Sequence, residues 1–407
     1  MTAPVFTERY LLDPGINANP FPYLALLREH SPVYWSQMHS AWLVTGYEQV
    51  AACLRSPAVS ADRVRPLLER IPAHVLDDES RLALDILSHW MVFNDPPDHR
   101  RLRGIFQEQF AARAASRNRA MIDRTAAWLL AKRAPAGSTG DLVADLARPL
   151  PNLVFSRWLG IPAKDGPAFW FWNARVGDLI LGAVQAEHEY RGSLHALSSL
   201  YRYLGGLVRD RREAPGDDLI SSVLAGGEVT ASVTEEEFVG MLTHLAFAGG
   251  ETTSNLIANG VRALLMHPEQ HEAVRSDEWL LRGTIEEILR FDGPSKMSIR
   301  VAAEDLDLGD ARIRAGDRIF LITSAANRDP QVFSHPDGFD VRRGAVSHLG
   351  FGLGIHFCIG APLARLLATS AIGAVVRHRP ALAFEGSGHE WQASLLNRSL
   401  KALPVRY

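Results

Sequence analysis

Residues 234–268 constrain the fold more than any other stretch of the chain. Thr234 followed by Glu237 has the pattern of a capping box, and His267-Pro268 closes the segment. The apolar periodicity between them predicts one helix of roughly 32 residues, about 48 Å at 1.5 Å per residue. An element that long crosses the whole molecule, so everything else has to pack around it. Its middle reads LAFAGGETTSN. Two mid-helix glycines cost about 1 kcal/mol each relative to alanine, and Thr252-Thr253 add weak helix formers. Such a centre either packs closely against another helix or admits something near its backbone.

Helical periodicity also covers about 99–133, 195–213, 278–291 and 361–378, with Pro and Gly clusters between. Strand-like pieces are few: Ala41–Gly46, a hairpin over Arg312–Thr323 turning at Ala315-Gly316, and an edge near KALPVRY. No repeat, low-complexity tract or Ser/Gly linker divides the chain. The expectation is one mainly α domain, residues 1–407, with a minor β portion. At 407 residues and 47% hydrophobic it can bury a large core. A net charge of −3 with no long basic tract argues against nucleic acid as a partner. The N-terminal stretch lacks a signal layout, and nothing reaches the ~18 apolar residues of a membrane span. A soluble cytoplasmic protein, away from membranes, is expected.

Of two cysteines, Cys53 lies in a short amphipathic helical pattern and reads as a small buried apolar residue. Cys358 lies in FGLGIHFCIG, among Gly352, Gly354 and Gly360. Zinc would need more Cys or His in short register. A thiol nucleophile needs a base, which His356 keeps open. An inert core cysteine does not require three glycines. Thiolate ligation of haem iron does suit such a loop, because the backbone must fold close beneath the macrocycle with N–H groups free for the sulfur. An apolar wall such as Phe351 would then tune the thiolate.

At this point the segment resembles the cytochrome P-450 family of haem-thiolate monooxygenases. The pattern F-x-x-G-x-H-x-C-x-G is met at Phe351, Gly354, His356, Cys358 and Gly360. Chance matches in a chain this long are rare, on the order of one in ten thousand. Further matches follow in register from about residue 17 onward. Glu287 and Arg290 in EEILR match the family's core ion pair, with Arg343 as third partner and Arg342 adjacent. His99 and Arg103 in NDPPDHRRLR, with Arg300 and His356, match its haem-propionate ligands. Ala248 to Thr252, AGGET, resembles its oxygen-activation segment, with Ala248 and Gly249 against the haem and Glu251 and Thr252 handing on protons.

The resemblance implies the cytochrome P-450 fold, with the long central helix lying over the haem. It implies a b-type haem (heme b) with Cys358 as axial thiolate to the iron. The implied reaction puts one atom of O2 into an apolar small-molecule substrate, the other leaving as water. No flavin, dinucleotide or iron–sulfur motif is present, so electrons are expected from a ferredoxin and ferredoxin reductase, with Arg100, Arg101 and Arg365 as a basic docking face. A monomer is expected. The alternatives are a peroxide-driven peroxygenase or coupling enzyme on the same fold, and a non-catalytic haem sensor. The pocket roof is expected from about 63–93 and 165–190, where Trp170, Trp172, Leu179, Ile180 and Leu181 line it or form plain helix core. Leu245, Ala248 and Met297 are expected nearer the iron.

Overall fold

A computed structural model describes residues 6–64, 77–181, 187–227, 232–344, 347–386 and 389–407. The helices that build the site are α1 (Asp98–Gly104), α2 (Arg119–Arg133), α3 (Pro149–Leu159), α4 (Gly166–Ile180), α5 (Glu187–Glu213), α6 (Glu235–Met266), α7 (Leu280–Asp292) and α8 (Ala361–His378). The main sheet contains β1 (Val33–Ser36), β2 (Ala41–Val44), β3 (Val59–Ser60), β4 (Ser298–Ala302) and β5 (Arg318–Leu321), in the order β1-β2-β5-β4-β3.

The central helix starts where its sequence says. The Thr234 hydroxyl accepts the Glu237 N–H at 3.2 Å, and the Glu237 carboxylate accepts the Thr234 N–H at 2.9 Å. Three glutamates in its first turn favour the dipole, and Pro268 opens the next helix. All 32 residues stay helical through the double glycine. Apolar faces of α2, α3, α7 and α8 pack with α6 in one large core, which includes Phe106, Phe155, Leu242, Ile288 and Leu367. A separate cluster around Trp90 holds Leu84, Leu87, Val176 and Leu197.

Two expectations fail. The helix over 99–133 is three pieces, Asp98–Gly104, Ala112–Ser116 and Arg119–Arg133. Burying Ile105, Phe106 and Phe110 takes the chain out of helical register between the first two. The hairpin over Arg312–Thr323 does not form either. The turn is real, with Gly316 at φ +88, but its two arms separate. Ala311–Ile313 pairs with Leu306–Leu308, whereas β5 pairs with β4 and, in parallel, with β2. The expected strands at 41–44 and at the C-terminus are present.

Beneath the sheet, Glu287 and Arg290 face one another inside the protein. Arg290 donates to Glu287 at 2.7 and 2.8 Å and to the carbonyls of Asn327, Pro336 and Gly338. Arg343 completes the cluster, its Nε 3.0 Å from Glu287, while Arg342 stays outside. This network pins the backbone of 327–343, which leads into the cysteine loop.

Candidate active site

A cavity of about 340 Å³ lies between the central helix and the cysteine loop. Its wall includes His99, Arg103, Arg300, Phe351, His356, Cys358 and Gly360 on one side, and Leu245, Ala248, Gly249 and Thr252 from α6 on the other. Residues scattered over 260 positions of sequence thus converge as expected; Glu251 alone among the site candidates is not in the wall.

The loop is shaped by left-handed turns. Gly352 and Gly354 both have φ +71, and a Cβ on Gly354 would stand 2.6 Å from the Leu54 carbonyl. The Cys358 N–H closes the loop on the Phe351 carbonyl at 2.9 Å. Gly360 has ordinary φ at the start of α8. Burial pushes the Cys358 thiol up, while N–H groups of Gly360 and Ala361 and the charges of Arg103 and Arg365 pull it down. Cys53, by contrast, is sealed in the core and pushed up to about 12. Phe351 packs under Arg365, whose guanidinium is 4.6 Å from the ring and paired to Glu286 at 2.7 and 2.8 Å. Burial would raise Glu286, but Arg365 and His348 hold it down at about 2. Glu286, the first glutamate of EEILR, therefore braces the loop.

At one rim of the cavity, positive charge outweighs negative. Both nitrogens of buried His99 and Nε2 of His356 lack hydrogen-bond partners, and the two rings lie 4.2 Å apart. Burial and neighbouring arginines push His99 down to about 4 and His356 to about 3. Arg103 makes no ion pair among the described residues, and burial lowers Arg300 to about 10. Arg63 stands close enough for Arg300 to lower it further, its guanidinium 4.7 Å above Phe93. Asp95, the one carboxylate acting on Arg300, ties down the Ala61 N–H at 3.0 Å. Buried, unpaired cations and orphaned imidazoles require an anion. Two haem propionates would supply it beside Arg103 and Arg300, the two arginines of the cavity wall. The residues fit a haem.

On α6 the candidates divide. Thr252 faces the cavity and donates its hydroxyl proton to the Ala248 carbonyl at 2.8 Å, leaving its oxygen free to accept. Glu251, about 100° around the helix, turns toward α4 and the C-terminal strands. Burial pushes its carboxyl up to about 7, with nearby Asp178 adding and Ser399, Arg148 and Asn255 opposing. Gly177 makes its place: a Cβ there would stand 2.8 Å from a Glu251 oxygen. Gly249 answers both readings of the weakened helix. It lines the cavity, and its missing Cβ would strike the Phe155 ring at 2.6 Å.

Several expected positions are corrected. Met297 faces away from the cavity into the core with Leu11 and Phe320, while Ser298 and Arg300 of the alternating strand face in. Trp170 and Trp172 pack on the main core, and Leu179 and Ile180 on the Trp90 cluster; neither pair nor Leu181 lines the cavity. Parts of the expected roof, 65–76 and 182–186, lie outside the described residues. Arg101 is clamped by Glu237 at 2.6 Å and Arg365 by Glu286, so of the three arginines expected at a docking face Arg100 alone is exposed without an ion pair among the described residues. Sequence reasoning missed Arg63, Gly177, Glu286 and His244, a buried cavity residue.

A family model for cytochrome P450 matches residues 279–379. Cytochrome P450 monooxygenase PikC of Streptomyces venezuelae is 37% identical over 401 residues, spanning 96% of this chain and 91% of its own. The biotin biosynthesis cytochrome P450 of Bacillus subtilis is 34% identical, with 96% of each chain covered. The crystal structure of P450BioI with hexadec-9Z-enoic acid ligated acyl carrier protein matches at a TM-score of 0.88 and 32% identity, covering 97% of this chain and 99% of that one. No helix among the described residues is long and apolar enough to cross a membrane. Identity at this level over nearly the full length makes the chain a member of the cytochrome P450 family, the haem-thiolate oxidoreductases.

Proposed function

We propose that this protein inserts one atom of O2 into a mid-sized apolar small molecule, by hydroxylation or epoxidation, with Cys358 as the axial haem ligand. The observation that carries this reading is one cavity flanked by the Cys358 sulfur, the arginines at 103 and 300 with the imidazoles at 99 and 356, and the Ala248–Thr252 face of the central helix. When bound, a thiolate-ligated haem supplies an electron-rich iron that favours O–O cleavage. Arg103, Arg300, His99 and His356 would hold its carboxylates. Ala248 and Gly249 keep side chains short beside it.

Proton supply falls to Glu251 and Thr252. A carboxyl that titrates near neutrality can give up a proton and regain one from solvent, which is what a general acid needs. The Thr252 oxygen, with its own proton committed to Ala248, accepts from water in the helix groove. A reaction on an acyl chain, the ligand carried in the P450BioI complex, fits the apolar wall of Leu245, Leu256, Leu363 and Leu367. Electrons would come from a ferredoxin fed by a ferredoxin reductase, docking near Arg100 and the exposed Ile355 and Phe357 of the cysteine loop.

The test pairs spectroscopy with turnover. Reduced protein under carbon monoxide should show the strongly red-shifted Soret band of thiolate ligation; Cys358→Ala should lose it and Cys53→Ala keep it. With a ferredoxin pair, Thr252→Ala should still consume NAD(P)H and oxygen but release much of that oxygen as peroxide. A histidine-type spectrum, or unchanged coupling in Thr252→Ala, would overturn the assignment.

A further inference from the structure

His244 is a polar residue in an otherwise apolar stretch of the cavity wall. It sits one helical turn before Ala248 and two before Thr252, so the three share a face of α6, and all three line the cavity. The residue is 7% exposed. Its Nδ1 is buried without a hydrogen-bond partner, whereas Nε2, bonded by no described residue, keeps some exposure. The ring cannot easily turn away. It stacks on Trp90 at 5.0 Å, and Trp90 is itself fixed by its indole N–H on the Thr243 hydroxyl at 2.9 Å. Nor does His244 act as a charge, since burial pushes it down to about 3. A neutral imidazole offers one donor and one acceptor, whichever tautomer it takes. Nε2, the ring nitrogen that is not sealed off, is the one a polar group in the cavity can meet.

Resting on the reading of this cavity as the substrate pocket, we infer that His244 is a specificity residue that hydrogen-bonds a neutral oxygen, a carbonyl or hydroxyl, on an otherwise apolar substrate. Pure hydrocarbons leave it unsatisfied and carboxylates gain no ion pair from it. The anchor lies roughly 12 Å along the helix from Thr252, at eight residues of 1.5 Å rise. Substrates therefore carry an oxygen remote from the carbon that is oxidised, and anchoring at one end presents the other.

The probes are cyclododecanone, cyclododecanol and cyclododecane, titrated into the oxidised haem-loaded protein and followed by the shift of its Soret band. The parent should bind the two oxygenated rings more tightly than the hydrocarbon. His244→Phe keeps the stack on Trp90 but removes the hydrogen bond. It should weaken ketone and alcohol binding by about 3–10-fold and leave the hydrocarbon unchanged or tighter. His244→Gln, which keeps a donor and an acceptor, should restore part of the preference. Equal affinities across the three rings in the parent, or a preference that survives in His244→Phe, would overturn the inference. The carbon monoxide band of each variant is read alongside: its loss in the parent refutes the haem-thiolate reading itself, whereas a normal band with unchanged ring preference refutes only the role of His244.

Discussion

Replacing Glu251 with glutamine should stabilise this protein, and only at the alkaline end. The carboxyl titrates near 7 in the folded chain against an ordinary 4.5. Because the folded value is the higher one, the unfolded chain gives up its proton first as pH rises. Stability is then lost progressively from about pH 4.5 to pH 7 and stays lost above. The gap is worth about 3 kcal/mol at 1.36 kcal/mol per tenfold, and solvent reaching the partly buried carboxylate trims it to about 2 kcal/mol. Glutamine keeps the shape and never ionises, so the variant should match the parent near pH 4.5 and exceed it by that amount at pH 8. At ~2.1 cal/mol/K of unfolding entropy per residue, this is a Tm rise of about 2–3 °C, readable by circular dichroism of the haem-loaded protein. On the proposed role of Glu251 in proton supply, the same variant should also slow oxygen consumption. An offset of equal size at both pH values would show that Glu251 titrates normally and that its placement carries no cost.

Two further outcomes follow from named contacts. Gly177→Ala should push the Glu251 carboxylate off α4, raising the peroxide share of consumed oxygen while leaving the haem spectrum intact; unchanged coupling would mean that this seat does not matter. Arg290→Met leaves buried Glu287 with Arg343 as its one cationic partner and three carbonyls without their donor, and should cost about 3–5 kcal/mol in urea unfolding; a loss below about 1 kcal/mol would refute the claim that this network holds the approach to the cysteine loop.

Local chemistry made part of this molecule legible. The capping box and His267-Pro268 bound the central helix because both act within a few residues. The i, i+3 spacing of Glu287 and Arg290 gave their pairing, and the cysteine loop carried its own glycine signature. What failed depended on distant partners. Ala315-Gly316 is a sound turn, but which strands flank it is set by residues 42–44 and 306–308. Met297 was misplaced by strand parity, where one residue of shift exchanges the two faces. Glu286 and Glu287 are neighbours in sequence, yet one braces Arg365 and the other Arg290. A histidine in an apolar helix reads as core until the cavity beside it is seen, and Arg63 gains meaning only from Arg300.

The parallel pairing of β2 with β5 has a consequence for synthesis on the ribosome. Trp42 donates its indole N–H to Asp317, 275 residues further on, across that same pairing. At 5–20 residues per second, the N-terminal β1–β2 ribbon waits on the order of 15–55 s for the strand that covers its inner edge. Throughout that interval β2 presents unpaired backbone and the apolar side chains of Leu43 and Val44, a template for another nascent chain. Slower translation lengthens the exposure in proportion. Yield in a foreign host should therefore respond to elongation speed and to any chaperone that shields an early strand, and not to the stability of the finished fold alone.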